Sequence, residues 1–237
     1  MKIMAFDSSA VSASVAITDG GKLLGESYLN TGLTHSATLM PMAQQLLEKS
    51  GCSFNDIDAF AVSSGPGSFT GLRIAVSSVK GMAAALNKKC IAVSTLEAMA
   101  HNLPSIGSYT ICAVMDARCK QFYNALFRVE NGKIIRLCDD RAIMVDKLSD
   151  ELNSIDGEIV LVGDGANLAY SMIAESNKNV KISPQALRYQ KSSSVAAVAI
   201  EKYKNNETVS AAALMPSYLR LSQAERELIA KNKGEKK

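Results

Sequence analysis

Histidine occurs only twice in the 237 residues, and tryptophan is absent. The five cysteines (Cys52, Cys90, Cys112, Cys119 and Cys138) are odd in number and contain no C-x-x-C pair. They read as reduced, mostly buried thiols of a cytoplasmic protein. A catalytic thiol needs a histidine beside it, and two histidines leave little room for one. No uninterrupted apolar run is long enough to cross a bilayer, so no membrane partner is expected. After Lys2 only residues 3–6 are apolar before Asp7 intervenes, too short a run for a secretory signal core. Charge of one sign is also scarce: the formal balance is +3, and composition alone does not announce a nucleic-acid binder. The basic end (Lys231, Lys233, Lys236, Lys237) reads as a frayed, soluble tail.

What is present is core-forming material. Hydrophobic residues make up 47% of a chain long enough for one large domain or two small ones. Residues 3–6, 13–17 and 22–29 read as three strands, the last two joined by the hairpin turn Asp19-Gly20-Gly21. A helix follows over about 35–49, with Pro41 marking a kink or a late start, then a buried strand at 57–62. A second helix is expected over 72–86, a strand at 90–93, and a helix capped by Thr95 that runs to about residue 102. The second half repeats the scheme. Strands are expected at 110–115, 122–129 (closed by Asn131-Gly132), 133–137 and 159–162, and helices near 146–152, 166–175, 195–204 and 222–231. Antiparallel strands followed by strand, helix, strand, helix, stated twice, predict an α/β fold of two subdomains, each a mixed sheet flanked by helices. The expected division is 1–104, 105–213, and a C-terminal segment 214–237 whose helix packs back on the first subdomain.

The most informative stretch is Ser63-Ser64-Gly65-Pro66-Gly67-Ser68-Phe69-Thr70-Gly71-Leu72-Arg73-Ile74. A strand runs into it and a helix leaves it. Its three glycines allow close backbone approach, and Ser68 or Thr70 can cap the helix. Such a helix start suits an anion. It is not a Walker loop, because Leu72 follows Gly71 and no lysine is in reach; the dinucleotide fingerprint also fails, since the third glycine comes one residue late. Two readings stay open, a tight strand–helix connection and a ligand contact. In the helix beyond, Leu72, Val76, Val79, Met82, Ala83 and Leu86 form an apolar stripe. Ala75, Ser78, Gly81 and Ala85 form a group of small residues that would let another helix approach. Glycine inside a helix costs up to about 1 kcal/mol against alanine, so Gly81 calls for a packing reason.

Other candidates are weaker. His35 opens a helix with no evident acid partner and reads as a capping or interface residue. Asp116 and Arg118 read as an ion pair ordering a turn. Gly163-Asp164-Gly165-Ala166-Asn167 ends a strand and opens a helix, a second anion-type edge. No G-x-S-x-G elbow is present, which leaves a serine hydrolase without its usual signature.

The segment from Ser64 to Ile74 is similar to the signature of the bacterial TsaB (YeaZ) family, partners in making threonylcarbamoyladenosine on tRNA. Asp7-Ser8-Ser9, His35-Ser36 leading into Leu39-Met40-Pro41, Met115-Asp116-Ala117-Arg118 with Phe122-Tyr123, and Pro216-Ser217-Tyr218-Leu219-Arg220 resemble the family too. The resemblance implies an actin-like ATPase-type fold of two subdomains, a heterodimer with the catalytic paralogue TsaD, and association with the ATPase TsaE. It implies contact with tRNA only through that complex. The paralogue's H-x-x-x-H metal pair corresponds here to Thr95 and Met99, and its Asp-Glu pair to Val11 and Ser12. Neither pair of replacements binds metal or moves a proton.

The expectation is therefore a non-catalytic partner with no cofactor of its own, ATP, ADP or metal entering only with the complex. Its interface would be built from His35, Leu39, Met42 and Leu46 of one helix and Ile74, Ala75, Ser78, Gly81 and Ala85 of the other. Alone, the chain could use the same face to form a homodimer. Asp7, Ser8, Ser9, Gly65, Gly67, Gly163 and Gly165 are candidate vestigial nucleotide or anion contacts. The alternative expectation is a stand-alone actin-like kinase or ATP hydrolase using the same residues.

Overall fold

A computed structural model of the protein describes residues 1–220. The expected helix near 222–231 and the basic tail lie outside the described residues. The first sheet contains β1 (Lys2–Asp7), β2 (Ala13–Asp19), β3 (Lys22–Leu29), β4 (Ala59–Gly65) and β5 (Lys89–Ser94), in the order β3-β2-β1-β4-β5. β1, β2 and β3 pair antiparallel, and β1, β4 and β5 pair parallel. β1 reads as an unbroken apolar run because it is buried on both faces. Met4 and Phe6 point to a core shared with α1 (His35–Lys49) and α2 (Phe69–Ala85), while Ile3 and Ala5 point to α7 (Ser192–Lys204).

The second sheet repeats that plan. β6 (Tyr109–Asp116), β7 (Gln121–Glu130), β8 (Lys133–Arg136), β10 (Ile159–Val162) and β11 (Val180–Ile182) run in the order β11-β10-β6-β7-β8, and β9 (Arg141–Met144) also pairs with β7. β8 takes the Phe127–Glu130 half of β7 and β9 the Gln121–Asn124 half, so the two together replace one long strand. α4 (Val145–Asn153) and α5 (Ala166–Ile173) cover one face. The helices between the sheets cross over. α3 (Thr95–Ala100) follows the first sheet but sends Leu96, Met99 and Ala100 into the core under β6 and β7. α7 follows the second sheet but buries Val195, Ala196 and Ala199 against the first. An apolar stripe fixes that a helix is buried, not which sheet buries it, so chain order alone misplaces both. Two like-ordered mixed sheets with crossing helices make the actin-like fold.

Several local expectations need correction. Ser94, not Thr95, caps α3, accepting from the Glu97 N–H at 3.2 Å. Helix α1 already begins at His35, so Pro41 lies inside it, facing solvent, and marks no late start. The edge strands β9 and β11 and the single turn α6 (Gln185–Arg188) escaped the sequence pattern, being three or four residues long. Of the five thiols, Cys90 and Cys112 are buried, Cys52 and Cys138 half-buried and Cys119 exposed; all are free. Burial pushes the Cys112 thiol up to about 12.

Candidate functional site: two packed glycine turns and an open helix face

The two glycine turns stand where β4 and β10 end, each against the end of its sheet's first strand. In the first turn, Ser68 caps α2 by accepting from the Gly71 N–H at 3.3 Å. The Ser68 N–H itself goes to the Ser9 carbonyl at 2.7 Å. A side chain at Gly71 would collide with the Ser8 carbonyl, and one at Gly67 would come within 2.5 Å of the Ser9 carbonyl. Gly65, at φ 135°, lies against the Ser217 backbone, whose N–H donates to the Ser64 carbonyl at 2.7 Å. The close approaches that these glycines permit are thus used by the chain itself. Of the two sequence readings, this geometry supports the tight connection.

Asp7, buried at the end of β1, is similarly occupied. One carboxylate oxygen accepts from the Ser9 N–H at 2.9 Å and the Ser9 hydroxyl at 2.8 Å; the other accepts from Ser63. Burial raises its pKa above the usual carboxylate value, against the opposing pull of those hydrogen bonds. Ser8 donates to the Gly71 carbonyl at 2.8 Å. On the opposite side, the Gly163 N–H donates to the Arg188 carbonyl at 2.8 Å and the Gly165 N–H to the Val114 carbonyl at 3.2 Å. Asp164 accepts from the Gln190 amide at 2.9 Å and is raised by burial, with Asp116 and Asp7 adding to the shift. Asp116 orders its turn by accepting the Arg118 backbone N–H at 2.7 Å, a correction to the expected ion pair.

No group of three or more metal-ligating side chains occurs among the described residues. Thr95 and Met99 are fully buried in the protein's own core, and the Met99 sulfur packs beside Gly163. A divalent ion does not fit that donor set. Val11 is exposed, and Ser12 is buried beside the Gln190 backbone. His35 joins the start of α1 to the loop after β1, its Nε2 lying 2.7 Å from the Ala10 carbonyl. That contact ties the helix start to the loop. A groove of about 600 Å³ lies between β3 and the α6–α7 segment. Its charged groups are already engaged, Glu26 with Ser193 and Lys191 with the Ala186 carbonyl.

The predicted interface divides into two groups. Leu39, Met42 and Leu46 of α1 and Ala75 of α2 are buried in the first core and cannot meet another chain there. Leu39 and Leu46 share a helical stripe of α1 and Ala75 was grouped with the small residues of α2; packing against the first sheet puts all four on the inner side. The outer face of α2 carries Ile74, Ser78, Gly81 and Ala85, half-buried or exposed, at the i, i+4, i+7 and i+11 spacing of a single stripe. Beside it α1 exposes Ala37 and Pro41, and Leu33 stands just before the helix, 60% exposed. Space is open around the position a Gly81 side chain would take.

Sequence reasoning also missed the contacts of residues 209–220, which run along α2. Tyr218 stacks on Phe69 with ring centres 4.4 Å apart, and Lys80 holds the carbonyls of Ala212 and Leu214. Only the aromatic and basic residues spaced along the start of α2 could have suggested them.

Fold and site together define an actin-like protein of two mixed sheets, with glycine turns packed by its own backbone and a helix pair whose outer face is exposed. A family model described as TsaD, tRNA N6-adenosine threonylcarbamoyltransferase, matches residues 30–228. The protein "tRNA threonylcarbamoyladenosine biosynthesis protein TsaB" of Escherichia coli is 33% identical over 70% of this chain and 72% of its own length. Its Bacillus subtilis namesake is 29% identical over 98% of this chain and the whole of its own. A crystal structure from Pseudomonas aeruginosa, described as an uncharacterized protein with similarity to peptidase YEAZ, superposes with a TM-score of 0.78. It is 25% identical and covers 92% of this chain and 99% of its own. The chain belongs to the TsaB (YeaZ) family.

Proposed function

We propose that this protein is an accessory subunit in threonylcarbamoyl transfer to an adenosine of tRNA, and that it acts by docking a TsaD-type catalytic paralogue on the outer face of α1 and α2. The observation that carries the reading is Gly81. It sits mid-helix with no positive φ and nothing near the place its side chain would occupy, so the isolated fold has no need of it. Glycine there costs roughly 1 kcal/mol of helix stability relative to alanine. A flat strip of Ser78, Gly81 and Ala85 offset by Ile74 gives that residue a use, the close approach of a helix from another chain.

The match to a TsaD family model supports a partner of the same fold, which would present the same helix pair. Two related surfaces meeting about a pseudo-twofold axis make a self-complementary contact. In this reading the subunit carries no nucleotide or metal of its own, tRNA is met through the complex, and a TsaE-type ATPase joins the pair. The filled glycine turns, the committed Asp7 carboxylate and the buried Thr95 and Met99 support that assignment. No helix among the described residues is long and apolar enough to cross a membrane. Among the described residues, no group at the two glycine turns favours the kinase or ATP hydrolase alternative.

The test is co-elution of the purified chain with its TsaD-type paralogue by size exclusion. Gly81→Leu and Ser78→Trp should abolish co-elution while the isolated variants keep the parent's circular dichroism. Unchanged binding by both variants would overturn the interface.

A further inference from the structure

The strap, residues 209–220, is fastened at four points. At its start, Val209 pairs with Cys90 on the edge of β5 through two backbone hydrogen bonds of 2.9 Å. Next, the Lys80 ammonium donates to the Ala212 carbonyl at 3.2 Å and the Leu214 carbonyl at 2.9 Å, and Leu214 is buried in the first core. Ser217 then bonds the Ser64 carbonyl, and Tyr218 stacks on Phe69 with the rings 8° from parallel. The Arg73 Nε donates to the Tyr218 hydroxyl at 2.9 Å, its guanidinium lying within 6 Å of both ring centres. Finally Arg220 reaches the other sheet and donates to the Ala117 carbonyl.

That last anchor is an unusual turn. Arg118, Cys119 and Lys120 all have left-handed φ, at 63°, 55° and 57°. Side chains hold that conformation only where the surroundings over-determine it. The turn begins at Asp116, whose backbone nitrogen lies 2.9 Å from where a Gly165 side chain would start. One short segment therefore touches the first glycine turn directly, through Ser64, Gly65 and Phe69. It reaches the second through Ala117 and Asp116.

We propose that the strap is a mechanical link that couples the two glycine turns, so that loosening either turn loosens the other. The coupling is reciprocal, as any equilibrium coupling must be. It also reaches the α2 outer face, since Arg73 and Lys80 adjoin Ile74 and Gly81 in the same helix. The inference stands independently of the partner assignment, because it concerns the isolated chain.

Amide hydrogen exchange on the full-length protein tests it. The Ser68 amide reports the first turn, and the Ala117 and Gly165 amides report the second. Tyr218→Ala breaks the strap on the first side and should speed exchange at Ala117 and Gly165 as well as Ser68, by about fivefold or more, with β2 amides unchanged. Arg220→Ala breaks it on the second side and should speed exchange at Ser68 by a similar factor. If Tyr218→Ala lowers protection throughout the chain, Tyr218→Phe keeps the stack and drops only the Arg73 bond; it should show a smaller rise at both turns. Variants that loosen only the turn they touch would overturn the link.

Discussion

The two halves share a sheet order and a glycine turn in the same place, yet they finish that turn differently. In the first, Gly67 and Gly71 press against the carbonyls of Ser9 and Ser8, just past β1, and Ser68 caps the helix. In the second, Gly163 presses against Val114, near the end of β6, and Gly165 is an N-cap with no side chain to offer. The helices that follow diverge as well. α2 has 17 residues and an outer face of small side chains, whereas α5 has 8 and exposes Leu168, Tyr170 and Met172. The strap lies on the first turn and meets the second only at its end. A duplicated plan thus supplies two comparable connections, and among the described residues the first leads into a helix whose outer stripe is small side chains while the second leads into one that exposes large apolar ones.

The sharpest way to break the comparison is to add one methyl group to each turn. Gly71→Ala and Gly163→Ala both force a side chain against a backbone carbonyl, which cannot swing away, and Gly163 has φ 116° besides. Each should cost about 3 kcal/mol in urea unfolding, toward the upper end of overpacking effects. Gly165→Ala, with its nearest atom at 2.9 Å, should cost less than either. Tolerance of Gly71→Ala with loss at Gly163 would show that the turns are not equivalent packing devices.

A smaller effect distinguishes the buried carboxylate. Asp7→Asn should cost about 2 kcal/mol near pH 4, because the amide nitrogen brings two donor hydrogens and no lone pair to a place where the neutral acid has one hydrogen and an accepting oxygen among the donors of Ser9 and Ser63. The pH dependence has a definite direction. A carboxyl raised above its ordinary 3.8 binds its proton more tightly in the folded chain than in the unfolded one. Its contribution is therefore complete below 3.8 and is lost as pH rises through the higher folded value. The gap between parent and Asp7→Asn should narrow as pH climbs from about 4, read by denaturant titration across a pH series. A gap that widens would contradict the burial-dominated shift.

Ser68→Ala should cost about 1 kcal/mol, the usual worth of a helix cap, by thermal unfolding. α5 has no side-chain cap to lose. The least change comes from Gly81→Ala, which should stabilise the isolated chain by up to about 1 kcal/mol, since the added methyl enters open space in a regular helix. Destabilisation by that substitution would mean that Gly81 serves this fold, and would weaken the case for a partner helix.

Much of this was legible in advance because it is local. Helix α1 begins and ends where its apolar spacing and the following Ser50-Gly51 place it. The three-stranded start and the duplicated α/β scheme follow from alternating patterns and glycine turns. The site was legible as a turn but not as an occupied one. Nothing in the order Ser-Gly-Pro-Gly-Ser says that Ser8, Ser9 and Ser217, distant in sequence, take up the space beside it. The exposed faces of the helices were half legible: i, i+4 spacing finds the faces of a helix, and burial against distant strands decides which face is inside. Leu39, Met42, Leu46 and Ala75 fell on the wrong side of that decision.

By itself the sequence determined what depends on neighbours along the chain: strand and helix positions, and the glycine turns. Only tertiary structure decided that α3 and α7 cross to opposite sheets, that the strap fastens the first glycine turn, and that the small residues of α2 face outward around an unfilled Gly81. The reason is physical. Propensity and periodicity act over a few residues, whereas burial and close backbone approach depend on segments brought together from far apart in the chain.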